Sequence, residues 1–208
     1  MPDDDDARTF QQVTDCTPEQ LRALNSYLAL LAEWNDRINL VGPSTLASFW
    51  TRHALDSWQL LLAAPEARSW ADLGTGAGLP GVVLAIGLSG LPGAHVHLVE
   101  SLQKRCRFLQ LVVAALKLPA TIHPVRAESM SVPVDVVTAR ACAPMVRLLG
   151  FASPWLAEGA TGLFLKGEAV EAELEEARSA WSFDVSLSPS LSDSRGRLVR
   201  IERLAPRG

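Results

Sequence analysis

The sequence is poor in cysteine, has a single tyrosine, and contains no long apolar run. Its three cysteines, Cys16, Cys106 and Cys142, are an odd number at wide spacing with no C-x-x-C pair. That supports neither a disulfide frame nor a zinc site. No stretch reaches the roughly 18 uninterrupted apolar residues of a membrane span. Met1 to Phe10 is acidic, where an export signal would be basic and then apolar. These absences predict a soluble, unexported protein of the reducing cytoplasm, with no membrane partner and no metal. Internal repeats and low-complexity linkers are missing too. What is present describes an ordinary globular chain: 208 residues, 48% of them apolar and 20% charged, enough for one domain or a domain with a small appendage.

An excess of positive charge is also lacking, since the formal net charge is −4 and the pI about 5.6. At first this argues against a nucleic-acid partner. Its distribution changes the reading, because residues 1–15 carry Asp3, Asp4, Asp5, Asp6 and Asp15 against Arg8 and so account for the whole excess. Within Ser101 to Arg147, seven basic residues face only Glu128 and Asp135, and Arg195 to Gly208 holds five arginines against Glu202. Such clusters suit either an RNA footprint or solvated faces of an α/β domain.

The Asp-rich beginning, residues 1–15, reads as a disordered arm, because successive like charges repel and bury nothing. Thr17-Pro18-Glu19-Gln20 then reads as an N-cap, a proline at the first helical position and a capping-box glutamine, with Leu21, Leu24, Leu28 and Leu31 on one face of the helix that follows. A second helical run extends from about Ser44 to Ala64, after the break at Gly42-Pro43 and up to Pro65. Residues 16–66 therefore form a helical preface. From residue 67 the pattern becomes short apolar runs alternating with helical segments: Trp70–Leu73, His95–Val99, Thr121-Ile122, Asp135–Ala139 and Leu163–Leu165. It predicts an α/β unit over 67–208, with a parallel sheet covered by helices on both faces and packed as one body with 16–66. The last runs, near Phe183–Leu187 and Arg197–Leu204, predict an antiparallel hairpin at the sheet edge.

Asp72-Leu73-Gly74-Thr75-Gly76-Ala77-Gly78-Leu79-Pro80-Gly81 follows the first strand and leads into a helix. Alternate glycines let a backbone turn sharply and approach a ligand closely, at the sheet edge where open α/β folds bind them. The stretch fits two patterns. Gly74-x-Gly76-x-Gly78 resembles an S-adenosylmethionine loop, and Gly76-x-Gly78-x-x-Gly81 matches a dinucleotide fingerprint. Asp72 before the first glycine, Pro80 at the loop exit and the lack of a separate substrate domain favour the methyl donor. Glu100, closing the second strand, can accept from ribose hydroxyls, or can be an ordinary strand-end acid.

Taken together with Trp34-Asn35-x-x-x-Asn39-Leu40, Arg52-His53-x-x-Asp56-Ser57, Glu100-Ser101-x-x-Lys104-Arg105-x-x-Phe108-Leu109, Arg126-Ala127-Glu128, Arg140-Ala141 and Lys166-Gly167, this loop resembles the bacterial small-subunit ribosomal RNA guanine-N7 methyltransferases, formerly called glucose-inhibited division protein B. The resemblance runs from about Leu21 to Gly167. It implies a class I methyltransferase fold, Rossmann-like with a mostly parallel seven-stranded sheet, after an N-terminal helical segment. It further implies methyl transfer from S-adenosylmethionine to a guanine in the 530 loop of 16S rRNA, on free rRNA, an assembly intermediate or the 30S subunit; a monomer is expected, although the sequence itself leaves the oligomeric state open. The donor is then expected at Asp72, Gly74, Gly76, Gly78, Leu79, Ala127, Glu128 and Arg140, with Glu100 near the ribose, and RNA at Lys104, Arg105, Arg107, Arg126 and Arg197. Two features depart from the family: the Glu128–Arg140 segment is short, and a usual arginine falls at Gly196, between Arg195 and Arg197.

Guanine N7 has a lone pair and no proton, so attack on a sulfonium methyl needs no general base. Holding nucleophile and methyl in line supplies up to ~7–11 kcal/mol by itself. Arg140, Lys166, His53 and Asp56 are accordingly candidates for positioning the target, although His53 and Asp56, three apart on a helix, read as a structural hydrogen-bonded pair in preference to a catalytic acid and base. His95 and His97 read as structural. Glu168, Glu171, Glu173, Glu175 and Glu176 read as a solvated helical face. The rivals to this reading are a methyltransferase for a small molecule or protein, a dinucleotide-dependent redox enzyme, and a donor-binding module without catalysis.

Overall fold

A computed structural model describes residues 4–130 and 132–207. The chain begins with α1 (Asp4–Thr14) and α2 (Pro18–Ile38), then α3 (Pro43–Leu46), a π-helical turn (Trp50–Leu55) and α4 (Asp56–Ala63). The α/β part follows as β1 (Ser69–Leu73), α5 (Gly81–Gly87), β2 (His95–Val99), α6 (Gln103–Leu116), β3 (Ala120–His123), a 3-10 turn (Ala127–Ser129), β4 (Val136–Arg140), α7 (Met145–Ala157), β5 (Thr161–Lys166), α8 (Val170–Ala177), β6 (Trp181–Pro189) and β7 (Arg197–Pro206).

The capping box forms as its residues predict. The Thr17 hydroxyl accepts from the Gln20 amide at 3.2 Å, and Gln20 Oε1 accepts from the Thr17 amide at 2.8 Å. α2 ends where Asn39 turns left-handed, at φ 48°, while Asn35 Oδ1 takes the Val41 amide. The expected helix over 44–64 is instead broken into α3, the π-helical turn and α4. Residues 4–14, expected as a disordered arm, are helical. Their anchor is Phe10, which is buried with its ring 5.4 Å from that of Trp50 and 5.5 Å from Trp58, so apolar contact outweighs the repulsion of the aspartates. The part of the arm at Met1–Asp3 lies outside the described residues.

One seven-stranded sheet has the order β3-β2-β1-β4-β5-β7-β6, parallel except for β7, which pairs antiparallel with β5 and β6. Alternation along the strands sends Trp70, Val96, Leu98 and Leu163 to one face, against α2, α4, α5 and α6. Ala71, Leu73, Val137 and Phe164 face the other side, against α7 and α8. The helical preface is tied to the sheet layer by Gln20 Nε2 on the Gly87 carbonyl, 2.8 Å, and by the buried Tyr27 hydroxyl on the Ala77 carbonyl, 2.8 Å. Among the described residues, no helix is long and apolar enough to cross a membrane, and no cluster of His, Cys, Asp and Glu could hold a metal ion.

Candidate active site

The chain runs from β1 outward through β2 and β3, then returns to lay β4 on the other side of β1. The carboxyl ends of β1 and β4 therefore flank the point where strand order reverses, which is where open α/β sheets bind ligands. The Asp72–Gly81 loop leaves β1 there and Arg140-Ala141-Cys142 leaves β4. The two meet closely: a Cβ on Gly74 would lie 2.9 Å from Cys142 Sγ.

The loop is held from several elements. The Thr75 amide donates to the Val99 carbonyl at 3.0 Å, and the Gly81 amide to Asp72 Oδ2 at 2.8 Å. Glu100, nearly buried, accepts from the Gly76 amide through Oε2 at 3.1 Å and from the Leu102 amide through Oε1 at 2.8 Å. Gly74, Gly76 and Gly78 all have positive φ, at 67°, 60° and 95°. The last two differ in what surrounds them. A Cβ on Gly78 would stand 2.4 Å from Val82 Cγ2, so only glycine packs. A Cβ on Gly76 would meet nothing nearer than the Gly74 carbonyl oxygen at 3.8 Å and would project into open space. The loop is thus a cradle with free volume over Gly76.

Charge in the cradle is negative. Asp72 is fully buried, and burial pushes its carboxyl up to about 6. The buried Thr75 hydroxyl faces this carboxyl and works against the upward push, although neither Asp72 Oδ1 nor the Thr75 hydroxyl oxygen completes a hydrogen bond of good geometry among the described residues. Burial also pushes the Cys142 thiol up, and the carboxylates of Asp72, Glu100 and Glu128 push it the same way. Ala127 and Glu128 lie on the 3-10 turn, Ala127 half-buried and Glu128 exposed. Of the residues expected around a donor, Asp72, Gly74, Gly76, Gly78, Leu79 and Glu100 form the cradle, and Glu128 acts electrostatically on its Cys142 wall.

Arg140 points to the other side of the β4 end. Its Nη1 donates to the Arg52 carbonyl at 2.9 Å and to Asp56 Oδ2 at 3.1 Å, and its Nη2 donates to His53 Nδ1 at 3.1 Å. His53 is buried, and burial together with the Arg140 and Arg52 charges lowers its pKa to about 4. The ring is neutral near pH 7, accepts at Nδ1 and donates from Nε2 to the Thr45 hydroxyl oxygen, 3.0 Å away. His53 and Asp56 thus organise Arg140 and do not pair with each other as an acid and a base. Arg52, His53, Asp56, Arg140, Lys166 and Arg197 line one cavity of about 420 Å³, closed on one side by Ser190, Ser192 and Gly196 of the β6–β7 connection. Its size falls in the range of ligand pockets, ~300–1,000 Å³.

Lys166 is ion-paired to Glu173 at 2.6 Å and donates to the Ala143 carbonyl at 3.0 Å. Glu173 also takes the Met145 amide at 2.8 Å, so it belongs to the pocket wall and differs in this from the solvated face expected. Among the expected RNA contacts, Lys104, Arg107 and Arg126 are exposed, whereas Arg105 reaches Glu100 at 3.5 Å and borders the cradle. Arg197 lies in the pocket and donates to the Gly196 and Ser194 carbonyls. His95 and His97 are structural, bonded to Thr121 and His123. Sequence reasoning missed Gln59, Ser190 and Ser192. The only local signal was the Ser- and Asp-rich run before Gly196, which reads as a turn.

A family profile described as rRNA small subunit methyltransferase G matches residues 20–197. The chain is 60% identical over 200 residues to the ribosomal RNA small subunit methyltransferase G of Caulobacter vibrioides (strain NA1000 / CB15N), covering 96% of this chain and 93% of that protein. It is 46% identical to the protein of that name from Methylorubrum populi, covering 90% of each. In fold it is similar to a putative O-methyltransferase from Klebsiella pneumoniae, with a TM-score of 0.61 at 10% identity over 95% of this chain and 96% of that one. It is also similar to a ribosomal protein L11 methylase from Lactobacillus delbrueckii, with a TM-score of 0.55 at 18% identity over 72% of this chain and 76% of that one.

Proposed function

The chain belongs to the rRNA small subunit methyltransferase G family, and from that premise we propose that it transfers a methyl group from S-adenosylmethionine to N7 of a guanine in the 530 loop of 16S rRNA. The observation that carries the reading is the junction at the β1 and β4 ends, where an anionic glycine cradle adjoins a cation-lined pocket and Arg140 stands between them.

The cradle fits a nucleoside carrying a sulfonium. It has free volume over Gly76, a buried Asp72 carboxyl and Thr75 hydroxyl at its base, a Glu100 carboxylate at the strand end where ribose hydroxyls are recognised, and an excess of negative charge. When bound, S-adenosylmethionine supplies an electrophilic methyl. Asp72, Gly74, Gly76, Gly78, Leu79 and Glu100 hold it, with Ala127 and Glu128 toward the base.

The target guanine occupies the pocket beyond Arg140. His53 is neutral with Nδ1 occupied, Asp56 is committed to Arg140 and Glu173 to Lys166, so none of these three is placed as a general base. N7 requires none. As transfer proceeds, positive charge develops on the purine. Arg140 and Lys166 are each paired with a carboxylate, Asp56 at 3.1 Å and Glu173 at 2.6 Å, which tempers their repulsion of that charge. Their hydrogen-bond geometry remains available for O6 or a flanking phosphate. Lys104, Arg107 and Arg126 then grip the RNA backbone outside. The protein acts in the cytoplasm as a monomer on rRNA, as part of the 30S subunit or of its assembly intermediate. The testing experiment supplies labelled S-adenosylmethionine and 30S subunits from cells lacking the modification. Label is expected at N7 of a guanine in the 530 loop, and none should enter fully modified subunits.

A further inference from the structure

Gln59 lies three residues beyond Asp56 on α4, between the buried Trp58 and Leu60, with only 3% of its surface exposed. An amide buried there is costly unless it is bonded, and this one is bonded throughout. Its two Nε2 hydrogens reach three acceptors, the Asp56 carbonyl at 3.0 Å, Asp56 Oδ1 at 3.1 Å and the Ser190 hydroxyl oxygen at 3.1 Å, so one hydrogen is shared. Its Oε1 accepts from the Leu191 amide at 2.9 Å. One side chain thus ties α4 to the connection between β6 and β7. Ser192 on that connection adds a second tie by donating to Asp56 Oδ1 at 2.7 Å.

Asp56 is therefore fixed from two sides. Oδ1 receives Gln59 and Ser192, which turns Oδ2 toward Arg140. A residue needed only to pack α4 would be apolar like its neighbours. A polar one with every group matched to Asp56 and the connection specifies an orientation.

We propose that Gln59 is a positioning residue of the transfer reaction, acting with Ser192 to aim Asp56, and through it Arg140, and to hold the 190–196 connection as a wall of the pocket. The inference rests on that pocket being the target site. It is tested with Gln59→Leu, Ser192→Ala and Ser192→Thr. Donor affinity is measured by calorimetry, kcat and KM on unmodified 30S subunits, and exchange of the Arg140 guanidinium protons by 15N NMR on the free protein. Ser192 is only half-buried, so its variants keep the test alive if Gln59→Leu fails to fold.

Gln59→Leu should lower kcat at saturating subunits at least tenfold and Ser192→Ala at least threefold, with donor affinity within twofold of wild type. Ser192→Thr, which retains the hydroxyl, should stay within twofold. Arg140 proton exchange should accelerate at least tenfold in Gln59→Leu and at least threefold in Ser192→Ala. Unchanged kcat, unchanged Arg140 exchange, or a loss of donor affinity in step with activity would each overturn the proposal. If wild-type protein modifies no subunits, the functional reading fails, and the Arg140 exchange rates still decide the positioning role.

Discussion

Gly76 separates a ligand cradle from a merely structural turn, because its two possible roles predict different consequences of adding one methyl group. In Gly76→Ala the new Cβ meets nothing closer than 3.8 Å, so the fold loses only the cost of a left-handed L residue, ~1–2 kcal/mol. For a chain of this size that lowers Tm by about 2–8 °C. Donor affinity should suffer separately. The methyl enters the free volume over the loop that the donor is to occupy, while the Gly76 amide keeps its bond to Glu100 Oε2 at 3.1 Å. Overpacking of this kind costs ~1–3 kcal/mol, so the dissociation constant should rise between about 5-fold and 150-fold. Gly78→Ala is the contrasting case. It adds overpacking against Val82, ~1–3 kcal/mol, to the left-handed cost, so its damage falls on stability first. Calorimetry with S-adenosylmethionine and thermal unfolding on the same samples give both quantities. A folded Gly76→Ala protein that binds the donor within threefold of wild type would refute the cradle.

Three further outcomes follow from the same geometry. Lys104→Ala and Arg107→Ala, both on exposed positions of α6, should each flatten the salt dependence of RNA binding by roughly 0.7–0.9 in slope while leaving donor affinity unchanged; parallel salt plots would remove them from the interface. Asp72, held up to about 6 by burial, loses its negative charge as pH falls through that value, so affinity for cationic S-adenosylmethionine should drop relative to neutral S-adenosylhomocysteine between pH 7 and 5, and a constant ratio would exclude Asp72 from the donor's field. His53 binds a proton below about 4 in the fold but near 6.5 when unfolded. The unfolded state therefore holds more protons in that window, and His53→Gln should lose less stability than wild type on acidification from pH 7 to 4.5 in denaturant titrations; identical slopes would contradict its buried, neutral state.

The sheet was legible because its strands are short apolar runs with clear interruptions, and the glycine loop because its context, strand before and helix after, accompanies its letters. Thr17 to Gln20 announced α2 through a capping box that needs only local bonds. The α1 helix was not legible. Its aspartates dominate any reading of charge, while the fact that decides its fold, a slot for Phe10 between Trp50 and Trp58, is made by residues some 40 positions away. The pocket was partly legible. Arg140, His53, Asp56 and Lys166 could be named as candidates, but the role of His53 as an acceptor for Arg140 depends on a contact spanning 87 residues. Gln59 and Ser192 lay out of reach, since nothing local to α4 reveals that the β6–β7 connection will arrive beside it.

Whether the cradle and the Arg140 pocket together methylate a guanine at N7 is decided by mass-spectrometric mapping of 16S rRNA after unmodified 30S subunits are incubated with this protein and labelled S-adenosylmethionine. One labelled 7-methylguanosine is expected, located in the 530 loop and absent when Arg140 is replaced by alanine. Label on another atom or in another region of the rRNA, or full incorporation by Arg140→Ala, would contradict it.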